Sequence, residues 1–245
     1  MPDDTGDLLE LLSTSRSRWR SLRANGREWR KSTVLDYAWQ AQLARKRAEG
    51  QHFQTISFEP DVPEPEEAES HWQLWIDPPW KRAKFEVGHD PIDVVFRDGT
   101  WWSNGHGFSM TNNGDPHHGH GEGPGEDLIR TSDYVPLIDV EDLSGGTWIG
   151  RHTLNARIVP RHGTGHRRGR GLHGLIIGDP DQIILNVDQE RGVILRVETR
   201  IQGTTYRLLE ITDVTFDEEL DPRNFEIQPL PGLDWSQDNP WFGHD

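Results

Sequence analysis

Three histidines fall within the hexapeptide Asp115-Pro116-His117-His118-Gly119-His120. Imidazoles at that density, with His106 nearby in the chain, are a ligand set for Zn²⁺, Ni²⁺ or Cu²⁺. The run 112–127 around them carries five glycines and two prolines, the composition of a loop. A metal centre needs ligands held by hydrogen-bonded neighbours, which such a loop does not supply. The expectation is therefore no metal and no cofactor, with metal binding through His117, His118 and His120 as an alternative. A second concentration of chemistry is Arg161-His162-Gly163-Thr164-Gly165-His166-Arg167-Arg168-Gly169-Arg170, within a stretch, 151–171, that holds six arginines and no acid. It reads either as a solvated turn or as a contact for phosphate. It is not a phosphate-binding loop, since no Lys-Ser/Thr closes it and no helix follows. The sequence also lacks G-x-S-x-G, H-E-x-x-H and S-x-x-K patterns, so no catalytic residues are expected and the protein is not read as an enzyme.

The remaining candidate chemistry is apolar binding. The chain has 11 tryptophans against 3 tyrosines. Trp72, Leu74 and Ile76 alternate with polar or outward residues, as do Phe85 and Val87, and then Val94 and Phe96. At period 2 these seven share one face of a sheet. They would line a cavity for an acyl chain or other apolar ligand; equally, they would form the core beneath covering helices. Trp75, Trp80, Trp101 and Trp102 fall at the rim or on the other face, where an indole keeps one edge wet. Arg82 could bind the C-terminal carbonyls of a covering helix. Leu12 and Trp19 belong to that cover.

The elements that must position these residues follow from periodicity. Leu8, Leu12, Ser15, Trp19 and Leu22 recur at helical spacing after a cap at Asp4 or Thr5, and Asn25-Gly26 reads as a break. A second helix is predicted over 34–49, with Leu35, Ala38, Trp39 and Leu43 on one face. After Gly50 the period becomes 2. Strands are predicted over 53–58, 71–76, 83–87, 94–96, 100–102, 147–149, 154–159, 183–187, 193–202 and 205–216, with Asp98-Gly99, Gly192 and Gly203 at turns. The segment 128–143 reads as a short helix or irregular packing, limited by Pro136. The short connections make the sheet antiparallel.

Composition narrows the class. The 245 residues carry 41 acidic against 26 basic side chains, a formal charge of −15, with no cysteine. Disulfides and thiolate zinc are thus excluded, and an acidic whole argues against nucleic acid as a partner. Arginine outnumbers lysine 22 to 4, the composition of a GC-rich, actinobacterial-like genome. No stretch approaches the length of a membrane helix, which leaves peripheral membrane contact as the only expected membrane role. With no leader at its start the chain reads as cytoplasmic, or extracytoplasmic if a segment precedes Met1.

Several segments resemble the LolA-like and RseB-like superfamily, the outer-membrane lipoprotein carrier-like proteins. Leu74-Trp75-Ile76-Asp77-Pro78-Pro79-Trp80-Lys81-Arg82 is similar to its strand-turn-strand, and Val94 to Trp102 (VVFRDGTWW) to the following hairpin. Val187 to Glu198 resembles its "vDpetGlilrve" hairpin, and 205–216 followed by Leu220-Asp221-Pro222-Arg223-Asn224-Phe225 its ending. The resemblance spans 70–231. It implies an α+β fold, a large curved antiparallel sheet of about eleven strands forming an unclosed half-barrel, with N-terminal helices covering the concave face. It implies one domain over 1–231 (a helical lid region, 1–50, and a sheet, 51–231) and a polar tail, 232–245. The function so implied is non-enzymatic binding of a lipid, acylated or other apolar ligand, as carrier or sensor. The alternative is a signalling regulator that binds a partner peptide on the same fold.

Overall fold

The computed structural model describes residues 4–48, 50, 65–87, 90–112, 123–161 and 175–236. His117, His118 and His120, the arginine-rich run 162–171 and the strand expected over 53–58 lie outside these. The helices α1 (Asp4–Thr14), α2 (Ser32–Ala48) and α3 (Pro124–Ile129) accompany eleven strands. These are β1 (Leu22–Lys31), β2 (Glu67–Asp77), β3 (Trp80–Val87), β4 (Asp90–Arg97), β5 (Thr100–Gly105), β6 (Phe108–Thr111), β7 (Ile138–Trp148), β8 (Arg151–Pro160), β9 (Gln182–Asp188), β10 (Ile194–Ile201) and β11 (Thr204–Phe216). Among the described residues they form one sheet in the order β6-β5-β4-β3-β2-β1-β11-β10-β9-β8-β7, whose two end strands, β6 and β7, are not paired with each other. The fold is therefore α+β with a single unclosed antiparallel sheet, as read from the motifs.

Three hairpin turns share one backbone form. Asp98-Gly99, Ile149-Gly150 and Gln202-Gly203 join neighbouring strands with positive φ at both residues (49° and 83°, 45° and 77°, 50° and 75°). That is the two-residue hairpin whose twist matches its flanking strands.

Two expectations need correction. The first helix stops at Thr14, gives way to a 3-10 turn over Ser15–Arg18, and does not reach Leu22. Ser15 is buried because its hydroxyl donates to the Arg191 carbonyl at 2.9 Å, which ties the turn down. The expected break at Asn25-Gly26 lies inside β1. Its inward positions are Leu22, Ala24, Gly26 and Glu28, so small and charged residues hide the alternation. The second correction concerns 138–148, a full strand that the sequence marks only at 147–149. As the end strand it is mostly exposed, and its apolar residues are sparse.

The chain divides into two compact units: one of 1–18, 27–69 and 127–210, the other of 19–26, 70–126 and 211–245. In the first, the row Ala156, Leu185, Val197 and Leu209 crosses four strands and is buried throughout. Leu8, Leu11 and Leu12 of α1 are buried, and the Leu12 carbonyl accepts from the Thr131 hydroxyl at 2.7 Å. Helix α2 buries Ala38 against Ile201 and Tyr206, while Tyr37 and Trp39 are exposed. In the second unit, β2 to β6 form a meander, and the segment after β11 runs beside it to Ser236, which bridges Met110.

Candidate functional site

The register of β2 to β6 decides which side chains share a face. Trp72 pairs with Phe85 and Phe85 with Ile92. Leu74 pairs with Ala83, then Val94, Ser103 and Met110. Ile76 pairs with Lys81, then Phe96 and Trp101. Paired residues point the same way and alternate rows share a face, so Trp72, Leu74, Ile76, Phe85, Val94 and Phe96 lie together on one face. The side chain of Val87 lies outside the described residues. Ala83, Ile92 and Trp101 complete the face, so Trp101 lies with these residues and not at the rim or on the other face, where the sequence reading expected it.

A segment packs on this face. Gly123 and Gly125 sit so close that a Cβ on Gly125 would stand 2.5 Å from the Trp72 ring, and one on Gly123 2.8 Å from the Phe85 ring. Between Trp72, Leu74, Phe85 and these glycines there is no room for a water molecule. Glu126, which ends the segment, meets Lys81, the one charged residue in these rows: both carboxylate oxygens accept from Nζ at 2.7 Å. The pair is buried, with Lys81 16% and Glu126 8% exposed, and the ammonium stands 3.9 Å from the Phe96 ring centroid. The sequence reading missed this pair, since Lys81 read as part of a turn and Glu126 as part of a loop. Beneath the segment the Trp72 indole nitrogen is buried with no hydrogen-bond partner among the described residues. A buried donor left unpaired costs about 1–3 kcal/mol.

The opposite face carries the row Trp75, Arg82, Val95, Trp102 and Thr111. Arg82 chelates Asp93 and donates to the carbonyls of Asn224 at 2.8 Å and Glu226 at 3.3 Å. It thus binds carbonyls at a helix end, but those of the 3-10 turn Pro222–Phe225 and not those of the N-terminal helices. Trp80 stacks on Phe225 and takes Arg97 on its ring; Trp75 has Lys84 5.8 Å from its centroid. Trp101 is buried on the first face. Trp19 is buried against Phe216, and Leu12 is fully buried. A groove of about 470 Å³ is lined by Asn25, His71, Gln73, Lys84, Asp93 and Thr212, among others. Trp72, Phe85 and Ile92 also line it, though alternation points their side chains to the other face. The groove thus opens on the polar face, while the space between Trp72, Leu74, Phe85 and the two glycines is filled.

The first unit holds a buried charge cluster. Arg207 donates to Glu28 and to the Leu175 carbonyl, each at 2.7 Å. Asp127 accepts from the Tyr134 hydroxyl at 3.2 Å. Burial pushes the Asp127 carboxyl up, against the pull of Tyr134, Arg207 and Arg130. Burial and the neighbouring Asp127 also raise the Tyr134 phenol. On the other side of the strands, Glu198 accepts from Thr205 and Arg200 at 2.6 Å and from Arg196 at 3.0 Å. Burial alone would raise Glu198, and these donors outweigh it and lower it. Among the described residues no group of three or more His, Asp or Glu could hold a metal, and no helix is long and apolar enough to cross a membrane.

No protein-family profile matches the chain, and no curated protein matches it in sequence. Solved structures do resemble it. MucB matches at 12% identity over 92% of this chain and 63% of its own, with a TM-score of 0.46. The chain thus spans less than two thirds of MucB. An uncharacterized conserved protein from Thermus thermophilus matches at 9% identity over 94% of this chain and 96% of its own, TM-score 0.47. A LolA superfamily protein from Nitrosomonas europaea matches at 10% identity over 91% and 97%, TM-score 0.34. These are likenesses of structure at low identity.

Proposed function

We propose that the protein is a non-enzymatic binding module, a carrier or sensor, that takes the acyl chain of a lipid or acylated ligand against the face of Trp72, Leu74, Ile76, Phe85, Val94 and Phe96. The carrying observation is how that face is covered. The turn into α3 brings Gly123 and Gly125 against two aromatic rings and the Glu126–Lys81 pair beside them, over a Trp72 indole N–H that has no partner among the described residues. Each glycine over the rings forgoes the apolar area a larger residue would bury, so the cover is held by less apolar contact than side chains there would give. When the segment lifts, the rows from Trp72 to Phe96 become the wall of a binding site. The Trp72 N–H then meets an ester or carboxyl oxygen, and Lys81 an anionic head group.

Titration with dansyl-undecanoic acid, alongside native mass spectrometry of gently purified protein, tests this. One probe per chain, displaced by unlabelled fatty acid, is the expected result. Absence of saturable binding, with no co-purifying lipid, overturns it.

A second reading has its own observation: β7 ends the sheet and is mostly exposed, so a partner peptide could add as a further strand. Such a peptide would slow hydrogen exchange of β7 amides and leave the Trp72 environment unmoved. An acyl ligand would do the reverse.

A further inference from the structure

Three hairpins in this protein share one turn form, a residue at positive φ followed by glycine. Two use Asp98 and Gln202, and the third uses Ile149. A β-branched side chain in the left-handed region is strained, because its Cβ crowds the backbone; asparagine, aspartate or glycine relieve that strain. Ile149 nevertheless occupies the tip of the β7–β8 hairpin and is 38% exposed. Burial in the protein therefore does not repay the strain.

The surroundings point to an occupant. Trp148, beside Ile149, is half-buried under the Arg196 guanidinium, 4.8 Å from its ring centroid. The same end of this unit carries a collar of arginines. Gln189 donates its N–H to the His152 carbonyl at 3.0 Å, which seats the β9–β10 turn beside the tip. Arg191 of that turn reaches the Arg18 carbonyl, bringing the 3-10 turn of Arg16 and Arg18 to the same place. Arg151 is chelated by Asp188 and Glu190. Asp188 is buried in that contact, and the exposed Glu190 pairs with both Arg151 and Arg191, so the exposed arginines of this collar are Arg16 and Arg18, on a chain whose formal charge is −15.

We infer that this hairpin tip is a contact for an anionic bilayer surface, with Ile149 inserting into the acyl boundary, Trp148 at head-group depth, and Arg16 and Arg18 facing lipid phosphates. A two-residue apolar tip is too small to anchor a protein interface of ordinary size. It suits a membrane interface, which accepts a small apolar insertion supplemented by basic residues. The strongly acidic remainder would be repelled from the same surface, so charge fixes which end approaches.

The test is co-sedimentation of the full chain with vesicles of phosphatidylcholine alone and of phosphatidylcholine with phosphatidylglycerol. The expected result is partition onto the anionic vesicles only, lost in high salt. Ile149→Asn should weaken that partition about tenfold and raise Tm, because it relieves the turn. Arg16→Ala with Arg18→Ala should weaken it while leaving Tm unchanged. Absence of binding to anionic vesicles overturns the inference, as does equal partition of Ile149→Asn. So does a fall in the Tm of that variant, which would make Ile149 a packing residue. A tip that engages a protein while ignoring both vesicles also overturns it.

Discussion

Removing the ammonium of Lys81 should tighten ligand binding, the opposite of what damage to a core residue does. In Lys81→Met the aliphatic stem still packs on Phe96, but Glu126, 8% exposed, loses the cation that both its oxygens contact at 2.7 Å. Breaking a buried pair by removing one partner costs about 3–5 kcal/mol when the other charge stays buried. Glu126 relieves that cost by taking up a proton or by leaving the face together with Gly123 and Gly125, and the second route is the one that uncovers the rows. Taking about 3 kcal/mol, the balance between covered and uncovered forms moves by roughly 150-fold. Because apparent affinity scales with the competent fraction, the apparent Kd for dansyl-undecanoic acid should fall by up to that factor. The double change Lys81→Met with Glu126→Leu replaces the pair by apolar groups, which is close to neutral, and should return the affinity toward wild type. Fluorine NMR of 5-fluorotryptophan-labelled protein, with Trp72 assigned through Trp72→Phe, reports the covering segment directly. Its signal should move in the single variant and return in the double. A Lys81→Met protein with unchanged or weaker binding and an unmoved Trp72 signal would refute the reasoning and make the segment simply part of the core.

Three further outcomes follow from the structure. Arg207→Met should cost about 3–5 kcal/mol in urea melts by stranding Glu28. Adding Glu28→Leu should recover all but about 1 kcal/mol, the share of the Leu175 carbonyl left without its donor. Asp127, whose folded pKa is raised by burial, favours folding fully only below its unfolded value near 3.8 and loses that contribution as pH rises through the folded value. Asp127→Asn should therefore gain Tm on wild type at pH 7 and not at pH 3; an equal difference at both would contradict the assignment. Gly192 has φ 70° and lies where a Cβ would stand 2.4 Å from the Leu11 carbonyl oxygen. Gly192→Ala should cost about 3 kcal/mol and detach α1, read as lost amide protection over 8–14.

What the sequence made legible was what local patterns encode. The hairpins from Trp72 to Trp102 alternate around turn residues such as Asp98-Gly99, so their strands could be read in advance, whereas β6 and the place of Trp101 beside Phe96 could not. Helix α2 was legible for the same reason, within two residues at its start. β1 was hidden because its inward positions are Leu22, Ala24, Gly26 and Glu28, whose burial depends on distant partners such as Arg207. β7 was hidden because an end strand needs little apolar patterning. The Lys81–Glu126 pair joins residues 45 apart in sequence, and nothing local in either segment announces the other. Trp19 lies outside the first helix because that helix ends at Thr14, whereas Leu12 lies within it.

Photocrosslinking tests the central claim, that the Trp72-to-Phe96 face takes an acyl chain, most directly. A fatty acid carrying a diazirine at its chain end, photolysed on the full chain and mapped by mass spectrometry, should label peptides containing 72–76, 83–85 and 92–96. Labelling should disappear with excess unlabelled fatty acid and rise in Lys81→Met. Labels confined to the polar-face groove or to exposed α2, or none on those peptides at saturation, would contradict the account.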